Sequence, residues 1–224
     1  MRPGSRLVIF DVDGTLIDSQ NHIFAAMAQA FFVTGQILPP RAEVLGIVGL
    51  SLPEAVRRLV PAVPDATRDQ IVAAYKQSFN GARGTAPPPL YPGARQVLDQ
   101  LRAYPGVILG VATGKSRRGL DHMIAAHGLQ GYFQTCQVAD DHPSKPHPAM
   151  IRAALAEAAT TRENAVMIGD TSFDMDMGRA AGVRTIGVSW GYHATEALHA
   201  AGAGRVIADY AALIPALDEI WGSR

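Results

Sequence analysis

The sequence predicts an α/β protein built on a doubly wound parallel sheet, with helices on both faces and an inserted block of helices. Short apolar runs alternate with helical patterns over most of the second part of the chain, which is typical of buried parallel strands. A first apolar run at residues 7–10 is followed by a long stretch without strand-like alternation. A proline-rich segment at residues 86–93 then leads into the regular alternation. The helical stretch between them is therefore predicted to be an insertion after the first strand.

Three helices are predicted within the insertion. Residues 18–33 place apolar side chains at helical spacing. Residues 52–60 form the second helix, with Pro53 suited to a first helical turn, and residues 67–80 form the third. Residues 86–93 contain four prolines and cannot be helical throughout, so this segment is interpreted as a hinge or linker.

Beyond the linker, strands and helices are predicted in alternation. The predicted strands are residues 107–112, 136–138, 165–168, 185–188 and 205–207. The predicted helices are residues 94–103, 117–127, 147–159, 173–181 and 210–221. We therefore expect a core domain of residues 1–16 and 89–224 and a helical domain of residues 17–88.

Composition narrows the class of protein. The 224 residues are 48% hydrophobic, which supplies a sizeable core. Lys and Arg total 20, as do Asp and Glu, and this balance argues against nucleic acid as a partner. Cys136 is the single cysteine, which excludes an intrachain disulfide and fits a reducing compartment. The first apolar run is too short for a signal peptide or a membrane span, so we expect a soluble, cytoplasmic protein without a membrane partner.

Polar side chains cluster where the predicted strands end. In parallel α/β sheets, ligands bind at the carboxyl ends of the strands. The residues at these positions are Asp11, Asp13, Thr113, Gly114, Lys115, Asp140, Asp141, Lys145, Asp170 and Asp174. Several carboxylates in one crevice repel each other unless a cation joins them, and oxygen ligands together with a phosphate favour Mg²⁺. The sequence therefore predicts a magnesium and phosphate site at this edge of the sheet.

Asp11 and Asp13 are suited to a reaction at phosphorus. Residues two apart on an extended chain share one face, and Gly14 allows the sharp turn that follows. One aspartate can attack phosphorus to form an aspartyl-phosphate, and the second can act as general acid and base. A lysine and a threonine hydroxyl nearby would bind phosphoryl oxygens. The alternative is that Asp13-Gly14 is only a turn signal.

Four segments, in this order, resemble the four motifs of the haloacid dehalogenase-like superfamily. They are residues 11–16 (DVDGTL), 111–114 (VATG), 145–148 (KPHP) and 169–174 (GDTSFD). The resemblance covers nearly the whole chain and implies a Rossmann-like core, with the inserted helices similar to the family's mobile helical cap. Asp18-Ser19, residues 91–93 and residues 187–192 resemble the phosphoglycolate phosphatase-like subgroup. Residues 46–51 resemble the loop that sets substrate specificity.

The resemblance implies a role for each residue of the reacting centre. Asp11 would be the nucleophile and a Mg²⁺ ligand, and Asp13 the general acid/base with its backbone carbonyl on the metal. Thr113 and the backbone amide of Gly114 would bind the transferring phosphoryl group. Lys145 would neutralise the nucleophile and the phosphate oxygens. Many relatives carry Asn where this chain has Gly114, so a side-chain contact to substrate or cap is missing here.

Further residues are assigned around this centre. Asp170 would ligate Mg²⁺ directly, and Asp174 would act through water or by orienting Lys145. The expected substrate-binding residues are Gly14, Thr15, Gly49, Gly114 and His22. Basic side chains of the insertion that could meet an acidic substrate are Arg57, Arg58, Lys76 and Arg83.

The predicted function is Mg²⁺-dependent hydrolysis of a small phosphate monoester, phosphoglycolate-like or a sugar phosphate. Asp13 favours a phosphate ester over a haloacid, because dehalogenases of the superfamily lack the second aspartate. A β-phosphoglucomutase-like sugar-phosphate mutase and an inorganic pyrophosphatase share the same chemistry and stay open as alternatives. A non-catalytic phosphate-binding protein is the alternative from another class. The expected partner is a small phosphorylated metabolite, with the chain as a monomer or homodimer.

Overall fold

A six-stranded parallel sheet forms the centre of the protein, in a computed structural model that describes residues 5–81 and 86–222. The strands are β1 (Arg6–Phe10), β2 (Val107–Thr113), β3 (Thr135–Val138), β4 (Ala165–Gly169), β5 (Arg184–Val188) and β6 (Arg205–Ile207). Their order across the sheet is β3-β2-β1-β4-β5-β6. The first strand is therefore central, with Leu7 opposite Ile108 of β2 and Ala165 of β4.

Ten α-helices are found among the described residues. They are α1 (Gln20–Val33), α2 (Arg41–Leu45), α3 (Leu52–Leu59), α4 (Asp65–Gly81), α5 (Ala94–Ala103), α6 (Arg117–Ala126), α7 (Ala149–Glu157), α8 (Ser172–Ala181), α9 (Thr195–Ala200) and α10 (Leu213–Trp221). None of these helices combines the length and the apolar character needed to cross a membrane.

The two faces of the sheet are covered by different helices. Val8 and Phe10 of β1 pack with buried side chains of α5, α6 and α10. Leu7 and Ile9 point to the opposite face and pack with α7 and α8. This alternation follows from the period of two along a strand, and it confirms the predicted doubly wound α/β fold.

Helices α1 to α4, called the helical block below, lie between β1 and β2 in sequence. Their apolar side chains form a separate cluster around Met27, Phe31, Val56 and Ile71. The block therefore has a small core of its own beside the sheet.

Most predicted elements lie within two residues of their observed bounds. Two helices, α2 and α9, were not predicted, because each spans fewer than two turns and shows no apolar periodicity. The predicted final helix divides into a 3₁₀ turn, Tyr210–Ala212, and α10. Residue Arg83 lies outside the described residues.

Candidate active site

A buried lysine joins two carboxylates at the centre of the site. Asp11 directly follows β1, Lys145 lies in the loop between β3 and α7, and Asp174 is in the first turn of α8. The Lys145 Nζ atom lies 3.0 Å from Asp11 Oδ1 and 2.6 Å from Asp174 Oδ1, and all three side chains are fully buried. Burial alone would lower the pKa of Lys145, but the charges of Asp11 and Asp174 outweigh it and raise that pKa. The lysine is therefore held in its charged form.

The Asp11 carboxylate has few partners within the described part of the protein. Both oxygens are buried, and neither has a hydrogen-bond partner among the described residues. The ammonium of Lys145 lies 3.0 Å from Oδ1 and forms an ion pair with it. The pKa of Asp11 is raised to about 7, mainly by burial; the charge of Lys145 opposes this rise, and the charges of Asp174 and Asp13 add to it. An unsatisfied buried carboxylate of this kind is costly unless it serves a ligand or a reaction.

Oxygen atoms of Asp11, Asp170 and Asp174 lie within 4.8 Å of one another. Asp170 is oriented by the Thr15 hydroxyl, which donates to Oδ1 at 2.7 Å, and by the Tyr192 backbone N–H, which donates to Oδ2 at 2.9 Å. An all-oxygen donor set with the unpartnered oxygens of Asp11 fits a hard divalent cation such as Mg²⁺.

Asp174 is occupied by neighbours within the protein. Its Oδ1 binds Lys145, and its Oδ2 accepts from the Thr171 N–H at 3.0 Å and the Thr171 hydroxyl at 2.7 Å. Thr171 in turn caps α8 through a capping box with Asp174. Asp11 and Asp170 are thus the acids best placed to touch a cation, whereas Asp174 orients Lys145.

The acid cluster makes stability depend on pH. Burial raises the pKa of Asp170 well above its ordinary value, and the charges of Asp174 and Asp11 add to this effect. The folded protein therefore binds protons at Asp11 and Asp170 more tightly than the unfolded chain does. Below the ordinary pKa of 3.8, both carboxyl groups contribute fully to the stability of the fold. The contribution of Asp11 is lost as the pH rises through about 7. A divalent cation on the ionised carboxylates opposes this loss.

Asp13 faces a second lysine, Lys115, which the sequence analysis placed at a strand end but gave no role. The Lys115 Nζ atom lies 2.9 Å from Asp13 Oδ1 and 2.8 Å from Oδ2, and both side chains are nearly buried. The sequence signal that Lys115 belongs to the site was its position directly after Thr113-Gly114, at the end of β2. Asp13 thus lies outside the group of Asp11, Asp170 and Asp174, with its carboxylate fixed by Lys115.

Gly114 is a point of close contact with the helical block. A Cβ atom at this position would lie 2.4 Å from the Gly49 carbonyl oxygen and 2.5 Å from that of Leu50. The neighbouring Thr113 is buried, and its hydroxyl accepts from the Lys115 N–H at 3.2 Å. The glycine is therefore explained by packing, because a side chain at 114 would collide with the loop of residues 46–51.

Three further contacts hold the loop of residues 46–51 against the part of the chain that carries the sheet (residues 5–16 and 89–222), called the sheet domain below. Gly49 adopts a φ of +100°, and a Cβ atom there would lie 3.2 Å from the Thr171 hydroxyl. The Ser51 N–H donates to the Ser144 hydroxyl at 2.9 Å. His193 makes the third contact.

His193 bridges the loop and the start of α8. Its Nδ1 accepts from the Ser172 N–H at 3.0 Å, and its Nε2 lies 3.0 Å from the Gly46 carbonyl oxygen. Since Nδ1 is an acceptor, the ring proton is on Nε2 and donates to Gly46. Neither Ser144 nor His193 was predicted as a site residue, because their partners come from a distant part of the chain.

The structure places the remaining predicted residues at different locations. Gly14 has a φ of +82°, and a Cβ atom there would lie 2.2 Å from Asp170 Oδ2. Gly14 and Thr15 therefore shape the surroundings of Asp170. His22 Nε2 lies 3.0 Å from the Ala86 carbonyl oxygen, where the chain returns from the helical block. Of the predicted substrate-binding residues, Gly49 and Gly114 line the cavity in the described structure, whereas Gly14, Thr15 and His22 do not.

A cavity of about 530 Å³ lies between the strand ends and the helical block, and Asp11, Asp13 and Thr113 form part of its wall. Fold and site together define an α/β enzyme with a buried carboxylate–lysine centre beneath a helical block.

Comparison with known proteins agrees with this class. A family model described as haloacid dehalogenase-like hydrolase matches residues 8–188. The probable phosphatase IndB of Dickeya dadantii is 34% identical over 199 residues, which cover 87% of this chain and 86% of the relative. The phosphoglycolate phosphatase of Pseudomonas putida is 30% identical over 222 residues, covering 95% and 80%. The pyrophosphatase PpaX of Bacillus pumilus is 33% identical over 196 residues, covering 85% and 86%.

A solved structure shares the fold. The crystal structure of a predicted phosphatase from Clostridium acetobutylicum has a TM-score of 0.85 at 24% identity, over 96% of this chain and 99% of that one. The chain belongs to the haloacid dehalogenase-like hydrolase family. The resemblance stated from the four motifs is thereby confirmed, as is the prediction of an enzyme of this hydrolase class.

Proposed function

We propose that the protein is a Mg²⁺-dependent phosphatase that hydrolyses a small phosphate monoester through an aspartyl-phosphate on Asp11. The observation that carries the proposal is the fully buried Asp11 carboxylate, which has no hydrogen-bond partner and lies 3.0 Å from the Lys145 ammonium. A structural carboxylate would be satisfied by donors, whereas a nucleophile needs its lone pairs free. Relatives named as phosphatases support the same chemistry.

In the first step, a carboxylate oxygen of Asp11 attacks phosphorus, and the bond from phosphorus to the ester oxygen breaks. For this step Asp13 must enter protonated and released from its contact with Lys115, and it then gives its proton to the departing oxygen. The Thr113 hydroxyl and the Gly114 N–H bind phosphoryl oxygens, and the Lys145 ammonium balances their negative charge.

In the second step, Asp13 takes a proton from water as the water oxygen attacks phosphorus. The bond between phosphorus and Asp11 breaks, which releases inorganic phosphate and restores the Asp11 carboxylate. Asp11, Asp170 and the backbone carbonyl of Asp13 would hold Mg²⁺, which supplies positive charge that reduces repulsion between the carboxylate and the phosphate.

Residues 17–88 are proposed to act as a cap domain over residues 1–16 and 89–224. The contacts of Gly46, Gly49 and Ser51 with the sheet domain support a closed arrangement that shields the reacting phosphoryl group from bulk water. Opening of the cap would admit the substrate.

Asp11→Asn tests the nucleophile. With Mg²⁺ and para-nitrophenyl phosphate, we expect the variant to lose at least about a thousandfold in kcat. Asp121→Asn, an exposed change on α6, is the matched control and keeps wild-type activity. Full activity of Asp11→Asn would refute the assignment.

Product analysis separates the related functions. A phosphatase releases one inorganic phosphate per ester, and a mutase returns an isomerised sugar phosphate. The pyrophosphatase alternative is favoured by the relative from Bacillus pumilus, and it requires inorganic pyrophosphate to be the better substrate. Mg²⁺-dependent turnover of any ester excludes a non-catalytic phosphate-binding protein.

A further inference from the structure

The cavity is larger than the reacting phosphoryl group and a two-carbon leaving group require. Its volume of about 530 Å³ lies in the range of sites that enclose drug-sized ligands. Asp11 and Thr113 are buried at its inner end, whereas Lys76, Arg118 and His122 are exposed at its mouth. The leaving group of the substrate therefore has room to extend from the inner end toward the mouth.

An aromatic wall adjoins the acid/base residue. Tyr75 and Phe79 are one turn apart on α4, and their rings stack with centroids 5.8 Å apart and planes 18° from parallel. The Lys115 Nζ atom lies 5.2 Å from the Phe79 ring centroid and also pairs with Asp13. The pair Tyr75 and Phe79, called the aromatic wall below, thus begins beside the group that would protonate the leaving oxygen. An aromatic ring joined to the phosphate ester would find a stacking partner here.

The cavity mouth carries positive charge. Within the described part of the chain, Lys76 and Arg118 take part in no ion pair. Asp140 is the acidic residue at the mouth. Its carboxylate accepts a hydrogen bond from the Arg117 N–H at 2.7 Å and forms no ion pair with Lys76 or Arg118. An anionic group at the far end of a leaving group would therefore meet two available cations.

We propose that the substrate is a phosphomonoester whose leaving group carries an aromatic ring next to the ester and an anionic group at its far end. This inference rests on the proposed phosphatase function and names its substrate class. A two-carbon ester such as phosphoglycolate fills only a small part of this cavity. Such an ester also has no ring that could pack against the aromatic wall.

A series of synthetic esters tests the aromatic ring and the anionic group of the leaving group separately. The series is ethyl, cyclohexylmethyl, benzyl and para-carboxybenzyl phosphate, whose leaving alcohols are of similar acidity. We expect kcat/KM to be about tenfold higher for benzyl than for ethyl phosphate, with cyclohexylmethyl phosphate between them. The para-carboxylate should add about threefold at low salt, and this increment should shrink at high salt. Equal or higher kcat/KM for ethyl phosphate or phosphoglycolate would overturn the proposal.

Cavity variants and matched control variants test which residues set these ratios of kcat/KM. Phe79→Leu should lower the benzyl-to-ethyl ratio of kcat/KM about fivefold. Its control, Phe32→Leu, changes a phenylalanine that is 79% exposed on α1 and lies outside the cavity lining, and this variant should leave the ratio unchanged. The double variant Lys76→Gln/Arg118→Gln should abolish the para-carboxylate increment, whereas Arg152→Gln on the exposed surface of α7 should preserve it. Unchanged ratios in the cavity variants contradict the proposal.

A binding measurement separates this inference from the proposed function. Calorimetry with para-carboxybenzylphosphonate, which cannot be hydrolysed, reports the cavity without turnover. If the wild type hydrolyses no ester but binds this phosphonate about fivefold more tightly than Phe79→Leu does, the phosphatase proposal fails and the ligand class stands. If all esters turn over alike and Phe79→Leu binds the phosphonate as the wild type does, the ligand class fails and the phosphatase proposal stands.

Discussion

Replacing Gly114 with alanine tests whether the closed contact between the helical block and the sheet domain is used in catalysis. The residue has no positive φ, so alanine is compatible with the backbone conformation. The obstacle is space, because the new Cβ would lie 2.4 Å from the Gly49 carbonyl oxygen and 2.5 Å from that of Leu50. Ordinary contact begins at 3.4 Å, so the loop of residues 46–51 must retreat by about 1 Å.

The alanine side chain at 114 should destabilise the closed arrangement of the helical block on the sheet domain. Overpacking of this kind costs about 1–3 kcal/mol. Because about 1.4 kcal/mol corresponds to a factor of ten, the closed state should lose between about fivefold and about 140-fold in population relative to an open one. The sheet domain itself is unstrained once the helical block moves away, so the midpoint of thermal unfolding should change little.

Steady-state kinetics with para-nitrophenyl phosphate and a thermal melt provide the assay. We expect Gly114→Ala to lower kcat/KM by about fivefold or more. Gly204→Ala is the control, since its Cβ would be 3.2 Å from the Thr185 carbonyl oxygen and far from the helical block. Wild-type kcat/KM in Gly114→Ala would show that the enzyme does not close on this contact, and the reasoning would be wrong.

Three other outcomes are expected. Asp174→Asn removes one carboxylate of a fully buried ion pair and should destabilise the protein by about 3 kcal/mol in urea unfolding. The control, Asp176→Asn, removes a half-buried carboxylate that pairs with the exposed Arg179 and should cost less than about 1 kcal/mol. His193→Leu loses the hydrogen bond to the Gly46 carbonyl and should lower kcat/KM about fivefold, whereas exposed His199→Leu should not. In a chelator-containing buffer, the melting temperature should fall between about pH 5 and about pH 8, because the raised pKa of Asp11 makes ionisation unfavourable in the folded state. Added Mg²⁺ should raise the melting temperature more at the higher pH, and equal gains at both pH values would contradict the metal assignment.

The sheet domain could be predicted because its signals are local. The apolar run of β1 and the helical periodicity of α5 each lie within one short segment, and α5 was predicted with its observed bounds. Helices α2 and α9 are too short to show an apolar periodicity in the sequence. The turn at Tyr210–Ala212 depends on the Asp209 side chain, which accepts from the Ala212 N–H.

The inner part of the site was equally accessible to sequence reasoning. Asp11, Thr113 and Asp170 each end or directly follow a parallel strand, and such positions meet at one edge of the sheet. The contacts of Lys115 and His193 were not accessible in this way. The position of Lys115 at a strand end does not say that its ammonium pairs with Asp13, and the Gly46 partner of His193 depends on how the helical block docks.

Four glycines of the site form two pairs with different consequences. Gly14 and Gly191 enclose Asp170, since a Cβ atom on either would lie within 2.2 Å of that side chain. Gly49 and Gly114 instead bring the loop of the helical block onto the end of β2. The first pair lies within the sheet domain and acts on the carboxylate that would hold the cation. A side chain there should weaken metal binding in any position of the helical block, whereas a side chain at 114 should leave the affinity for the cation intact and disturb only closure.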